Sequence, residues 1–136
     1  KFLAALLPKL KSKYDRLVFY LDAHWYDKWP LNDEILEISK HYKDNCIIVI
    51  DNFQVPGRNF QFDSYKEQPN NFSFVADKLR LCYSNSEMVY YYNNSTKRGP
   101  RGVGKIYVMP RKLMKELKLN DSDFYHMESM IPSSNL

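Results

Sequence analysis

Two short apolar runs in this chain each end in a carboxylate. Leu17-Val18-Phe19-Tyr20-Leu21 leads into Asp22 and then Ala23-His24-Trp25, and Cys46-Ile47-Ile48-Val49-Ile50 leads into Asp51-Asn52-Phe53. If the two runs are neighbouring strands of an open α/β sheet, their ends meet where such sheets bind ligands, just beyond the carboxyl ends of adjacent strands. Asp22, Asp51 and Asn52 would there offer hard oxygen ligands suited to Mg2+ or a similar divalent cation, leaving the remaining positions for water or substrate oxygens. His24 and Trp25 would stand on the same rim. The spacing equally allows a plainer job, since an aspartate after a strand commonly caps the segment that follows.

The elements that must position these groups can be read from periodicity. Continuous rather than alternating hydrophobicity predicts strands covered on both faces, as in parallel sheets. Between them lie the 24 residues 22–45, where Leu31, Ile35, Leu36, Ile38 and Tyr42 form a helical stripe flanked by Asp33, Glu34, Glu37 and Lys40. Strand, crossover helix and strand make a βαβ unit. Pro30 suits the start of that helix, because the first turn has no use for the N–H that proline lacks. Ahead of the first strand, Phe2, Leu3, Leu6, Leu7 and Leu10 are spaced along one helical face.

Residues 52–72 read as one long loop rich in Asn, Gln, Pro and aromatic side chains. Long loops in compact domains are usually functional or mobile, and Arg58, Asp63, Tyr65 and Lys66 on this one could cover the strand ends. A helical stripe follows around Phe74, Val75, Leu79 and Cys82. Residues 87–92 and 103–109 then predict an antiparallel pair joined by a polar tip with Gly99 and Gly102. Tyr90, Tyr91 and Tyr92 would alternate between core and surface. A basic helix is expected over 111–119, and the end of the chain is expected to be poorly structured, giving one domain over 1–120 and a flexible tail over 121–136.

Composition narrows the class. The 136 residues carry 20 Lys and Arg against 16 Asp and Glu, a net charge of +4, with 44% hydrophobic and 15% aromatic residues. That is a single globular domain rather than a disordered chain. Only four glycines are present, all from Gly57 onward, which excludes a phosphate-cradling glycine loop in the first 56 residues. Cys46 and Cys82 are too few for a disulfide scaffold, and Cys46 opens an apolar run, so buried thiols in a reducing, cytoplasmic setting are expected. No run approaches a membrane span. Basic residues concentrate over 97–118, but no nucleic-acid motif accompanies them, and a solvated hairpin tip and helix face account for the charge.

The segment Phe19-Tyr20-Leu21-Asp22-Ala23-His24-Trp25, with Ile50-Asp51-Asn52-Phe53-Gln54-Val55-Pro56-Gly57, resembles the cation-dependent O-methyltransferases, of which catechol O-methyltransferase is the best known. That family carries an Asp-His-Trp type motif after its fourth strand and Asp-Asn, then Pro-Gly, after its fifth. The match follows the order of elements over roughly residues 14–110 and is specific only at the two strand ends. The resemblance implies an α/β, Rossmann-like methyltransferase fold, here its C-terminal half, with parallel strands followed by an antiparallel hairpin. It implies Asp22, Asp51 and Asn52 as Mg2+ ligands, and Asp22, His24 and Trp25 beside S-adenosylmethionine. Trp25, Pro56, Arg58, Asp63 and Tyr65 would face the acceptor.

One departure concerns the base. In the catechol enzyme a lysine follows the tryptophan directly, whereas Tyr26 and Asp27 intervene here before Lys28, and Ala23 separates Asp22 from His24. Lys28 and His24 are therefore rival bases. The expected function is S-adenosylmethionine- and Mg2+-dependent O-methylation of a hydroxylated small molecule, a sugar or phenol. The alternatives are a metal-dependent hydrolase or phosphatase and a non-catalytic methyltransferase-like domain. The strand Leu17–Leu21 is expected to present an edge that pairs with protein outside this chain, either an N-terminal half or a second copy.

Overall fold

The computed structural model describes residues 2–22, 28–94, 102–119 and 124–131. The N-terminal apolar stretch forms α1 (Phe2–Lys11), which buries Leu7 completely and leaves Phe2 in solvent. Next come β1 (Leu17–Leu21), α2 (Leu31–Tyr42) and β2 (Cys46–Asp51). The two strands are parallel, with Leu17 opposite Cys46 and Leu21 opposite Ile50, so the predicted βαβ unit is present. The helix turns Leu31, Ile35, Ile38 and Tyr42 toward the sheet, as its stripe requires.

The long loop is more structured than its composition indicates. It holds a small hairpin, β3 (Ser64–Tyr65) and β4 (Gln68–Pro69), whose connecting Lys66 and Glu67 both have positive φ, 48° and 69°. Left-handed backbone at both central positions is what a two-residue hairpin loop needs to match strand twist. Then α3 (Phe72–Cys82) begins at Asn71, whose side chain accepts the Phe74 N–H at 3.0 Å and caps the first turn.

The remaining elements are β5 (Met88–Asn93), β6 (Lys105–Pro110), α4 (Arg111–Leu117) and β7 (Phe124–Met130). Among the described residues they complete a mixed five-stranded sheet in the order β1-β2-β6-β5-β7, in which β1 and β2 run parallel and the other neighbours antiparallel. The predicted antiparallel pair is β5 with β6, and β6 lies against β2. Part of the expected tail is instead a strand: β7 pairs with the outer edge of β5, and Phe124 packs on Tyr91 and Tyr107. Pairing with β5 supplies the hydrogen bonds that the segment's weak apolar pattern failed to advertise.

Both sheet faces are covered over the central strands. On one, α2 and α3 enclose Ile48, Ile50, Tyr90, Tyr92, Ile106 and Val108. On the other, Val89, Tyr91 and Met109 lie beneath Met114, Leu119 and Phe124. All three tyrosines of β5 are consequently buried, where alternation had placed one face in water. The opposite correction applies to β1, which is an edge strand with Val18 64% and Tyr20 55% exposed rather than covered on both faces. Cys46 and Cys82 are buried free thiols 3.6 Å apart, and the Tyr83 hydroxyl lies within hydrogen-bond distance of the Cys46 and Val108 carbonyls, bracing β2 against β6. Among the described residues, no helix is long and apolar enough to cross a membrane.

Candidate active site

The parallel register brings the ends of β1 and β2 side by side, so Asp22 and Asn52 meet: Asn52 Nδ2 donates to Asp22 Oδ1 at 2.9 Å. Asn52 has φ 52°, a left-handed conformation that asparagine tolerates better than most side chains. That reversal sends its amide toward Asp22 and lets the chain leave the sheet at once. Phe53 is fully buried just beyond, its N–H donating to the Gly104 carbonyl at 2.9 Å.

Asp51 points elsewhere. It is the last residue of β2, directly opposite Lys105 on β6, and is only 4% exposed. Lys105 Nζ donates to its Oδ1 at 2.8 Å, the Tyr20 hydroxyl donates to Oδ2 at 2.6 Å, and the Asn52 N–H donates to Oδ1 at 2.9 Å. Burial is the largest single influence on this carboxyl and pushes its pKa up. The hydrogen bonds from Lys105, Tyr20 and the Asn52 N–H, with the Lys105 charge, together outweigh it and hold the pKa below its ordinary value.

The loop after β2 closes over the strand ends through its backbone. Asn70 is buried and its Nδ2 lies 3.1 Å from both the Asp51 and Asn52 carbonyls, while the Asp63 N–H donates to the Asn52 carbonyl at 3.0 Å. Gly104 permits the close approach of β6, since a Cβ there would stand 2.0 Å from the Phe53 carbonyl oxygen. The result is a cleft of about 520 Å³ lined by Asn52, Asp63, Ser64 and residues 58–62. A neighbouring cleft of about 430 Å³ shares Arg58 and includes Pro56, Gly57 and the start of α3.

Of the residues singled out from sequence, Asn52, Arg58 and Asp63 line this cleft, Asp22 is joined to it through its hydrogen bond with Asn52, and Pro56 lies in the next one. Arg58 is tethered, donating to Asn94 Oδ1 at 3.0 Å and lying 4.4 Å above the Tyr125 ring. Tyr65 meets Trp29 edge-on at 6.4 Å and lines neither cleft. Lys28 is 71% exposed and forms an ion pair with Asp33 of α2 at 2.5 Å. His24 and Trp25 lie outside the described residues.

The fit to a divalent cation can be judged from these partners. The ligand set that the resemblance implies needs three converging oxygens, but the Asp51 carboxylate already holds an ammonium and a phenol, and Asn52 turns its amide N–H toward Asp22. Among the described residues, no three His, Cys, Asp or Glu side chains group as a metal site. As arranged, Asp22, Asp51 and Asn52 do not fit Mg2+. Sequence reading missed Tyr20, Lys105 and Asn70. Lys105 was folded into the basic run over 97–118, and only its pairing opposite Asp51 distinguishes it from its neighbours. No protein-family model matches this chain, nor does any curated protein or solved structure.

Proposed function

We propose that this chain supplies the acceptor side of an S-adenosylmethionine-dependent O-methyltransferase acting on a hydroxylated small molecule, a sugar or a phenol. The observation that carries the reading is the Asn52–Asp22 contact at 2.9 Å, which unites the two motif segments at the carboxyl ends of the parallel pair, beside an open cleft. The parallel pair followed by the β5/β6 hairpin agrees with the order of elements that the resemblance implies. In this reading the outer edge of β1 is where the sheet continues into protein outside this chain.

The donor, when bound, supplies an electrophilic methyl group. The acceptor hydroxyl would take that methyl group, its proton passing to a base on this chain. Asp22 offers a carboxylate to hydrogen-bond donors of the bound molecules, and Asn52 with the Asp63 segment orients the acceptor, so that catalysis is mostly positioning. His24 is the favoured base, because Lys28 is engaged with Asp33 on the outside of α2 and lines neither cleft. Metal-dependent hydrolysis is disfavoured by the ammonium and phenol that already hold Asp51.

Calorimetric titration of S-adenosylmethionine tests the reading. Saturable binding that Asp22→Ala weakens by about tenfold or more supports it. Binding indifferent to Asp22→Ala, or absence of binding in a protein that carries the complete sheet, overturns it in favour of a non-catalytic domain.

A further inference from the structure

We infer that the Lys105 side chain occupies the place of a divalent cation at the strand ends, so that this site is metal-free and Asp51 serves as the buried counter-ion that positions Lys105. The inference concerns the site of the proposed function and decides its metal requirement, but it stands on the geometry around Asp51 and needs neither methyl donor nor acceptor.

The geometry is built from several directions. Asp51 receives three hydrogen bonds, from Lys105 Nζ at 2.8 Å, Tyr20 at 2.6 Å and the Asn52 N–H at 2.9 Å. A carboxylate has about four lone-pair directions, so little remains for a metal. Lys105 is held from its own side as well, because its backbone N–H donates to Asn93 Oδ1 at 2.8 Å and the β2/β6 register sets it opposite Asp51. Its side chain is 23% exposed and that of Asp51 3% exposed, so neither charge is well solvated. A divalent ion arriving at Asp51 would have to expel the ammonium and leave it beside a doubly charged neighbour, with two like charges repelling in a poorly solvated site.

Titration of Mn2+ into the full chain, followed by the electron paramagnetic resonance signal of the free ion, tests this. Wild type and Lys105→Arg are expected to show no saturable site. Lys105→Met vacates the position without changing the carboxylates, and is expected to gain the saturable Mn2+ binding that wild type lacks. Asp51→Asn in the Lys105→Met background should abolish the gain. Circular dichroism establishes that each variant is folded, and Lys105→Gln is the substitute if Lys105→Met is not. Saturable Mn2+ binding by wild type that Asp51→Asn removes would overturn the inference, and so would a folded Lys105→Met or Lys105→Gln protein that gains no binding. Failure of S-adenosylmethionine to bind leaves these outcomes unchanged, so the two readings fail separately.

Discussion

Asn52 spans the ends of the parallel pair, donating from Nδ2 to Asp22 Oδ1 at 2.9 Å while its own backbone sits at φ 52°. Both properties belong to asparagine, and two substitutions separate them. Asn52→Ala should destabilise the fold by about 1–2 kcal/mol, the strain of a left-handed non-glycine residue. Asn52→Gly removes the strain and should remain near wild type in a urea midpoint, while losing the Asp22 contact equally. If the two variants unfold at the same urea concentration, the backbone argument is wrong.

The Asp51 carboxyl supplies a pH dependence. Its folded pKa lies below the ordinary 3.8, so the stability it contributes is fully present above about 3.8 and is lost as pH falls through the lower folded value. Asp51→Asn should lower stability at neutral pH by about 1–3 kcal/mol, the loss expected when a poorly solvated partner is left unpaired. The gap between wild type and variant should narrow as pH falls below that point. Urea midpoints measured from neutral pH into the acid range check both limbs, and a gap that widens in acid would contradict the sign.

Gly104 is expected to be intolerant of any side chain. A Cβ would stand 2.0 Å from the Phe53 carbonyl oxygen and 2.8 Å from Val55 Cγ2, and the first contact is with backbone that cannot swing aside. Gly104→Ala should destabilise by about 3 kcal/mol through forced separation of β6 from the chain after β2. Equilibrium unfolding measures this directly, and a change below about 0.5 kcal/mol would mean that the two segments separate easily.

The edge of β1 should govern self-association. Val18 is 64% exposed on a terminal strand, an arrangement that invites pairing with another chain. Val18→Lys should change stability by no more than about 0.5 kcal/mol, as for other surface replacements. Sedimentation at rising concentration should show an increase in mean mass for wild type that is absent in the variant. Equal behaviour of the two would mean that this edge does not associate.

Much of the scaffold is local and therefore visible in the chain. The stripe in α2, the parallel partners at Leu17–Leu21 and Cys46–Asp51, and the β5/β6 hairpin each follow from side-chain periodicity and turn chemistry. The segment that became β7 was not visible, because its order depends on an edge of β5 that exists only once the sheet is built. The covering of Tyr91 has the same origin: Phe124 arrives from more than thirty residues away. The short turn at Lys66 and Glu67 was hidden because neither residue is a usual left-handed one.

The sequence by itself determined which residues stand at the two strand ends, since a residue's place in an apolar run is a local property. Asp22 and Asn52 were brought together as that placement requires. Only the tertiary structure decided what Asp51 does. Strand pairing placed Lys105 opposite it from 54 residues away, and β1 brought Tyr20 from 31 residues away on the same sheet face. Cross-strand partners are fixed by register, and no spacing along the chain encodes register between strands separated by a long loop. The ion pair of Asp51 with Lys105 is therefore a property of the folded sheet that the order of residues along the chain does not display.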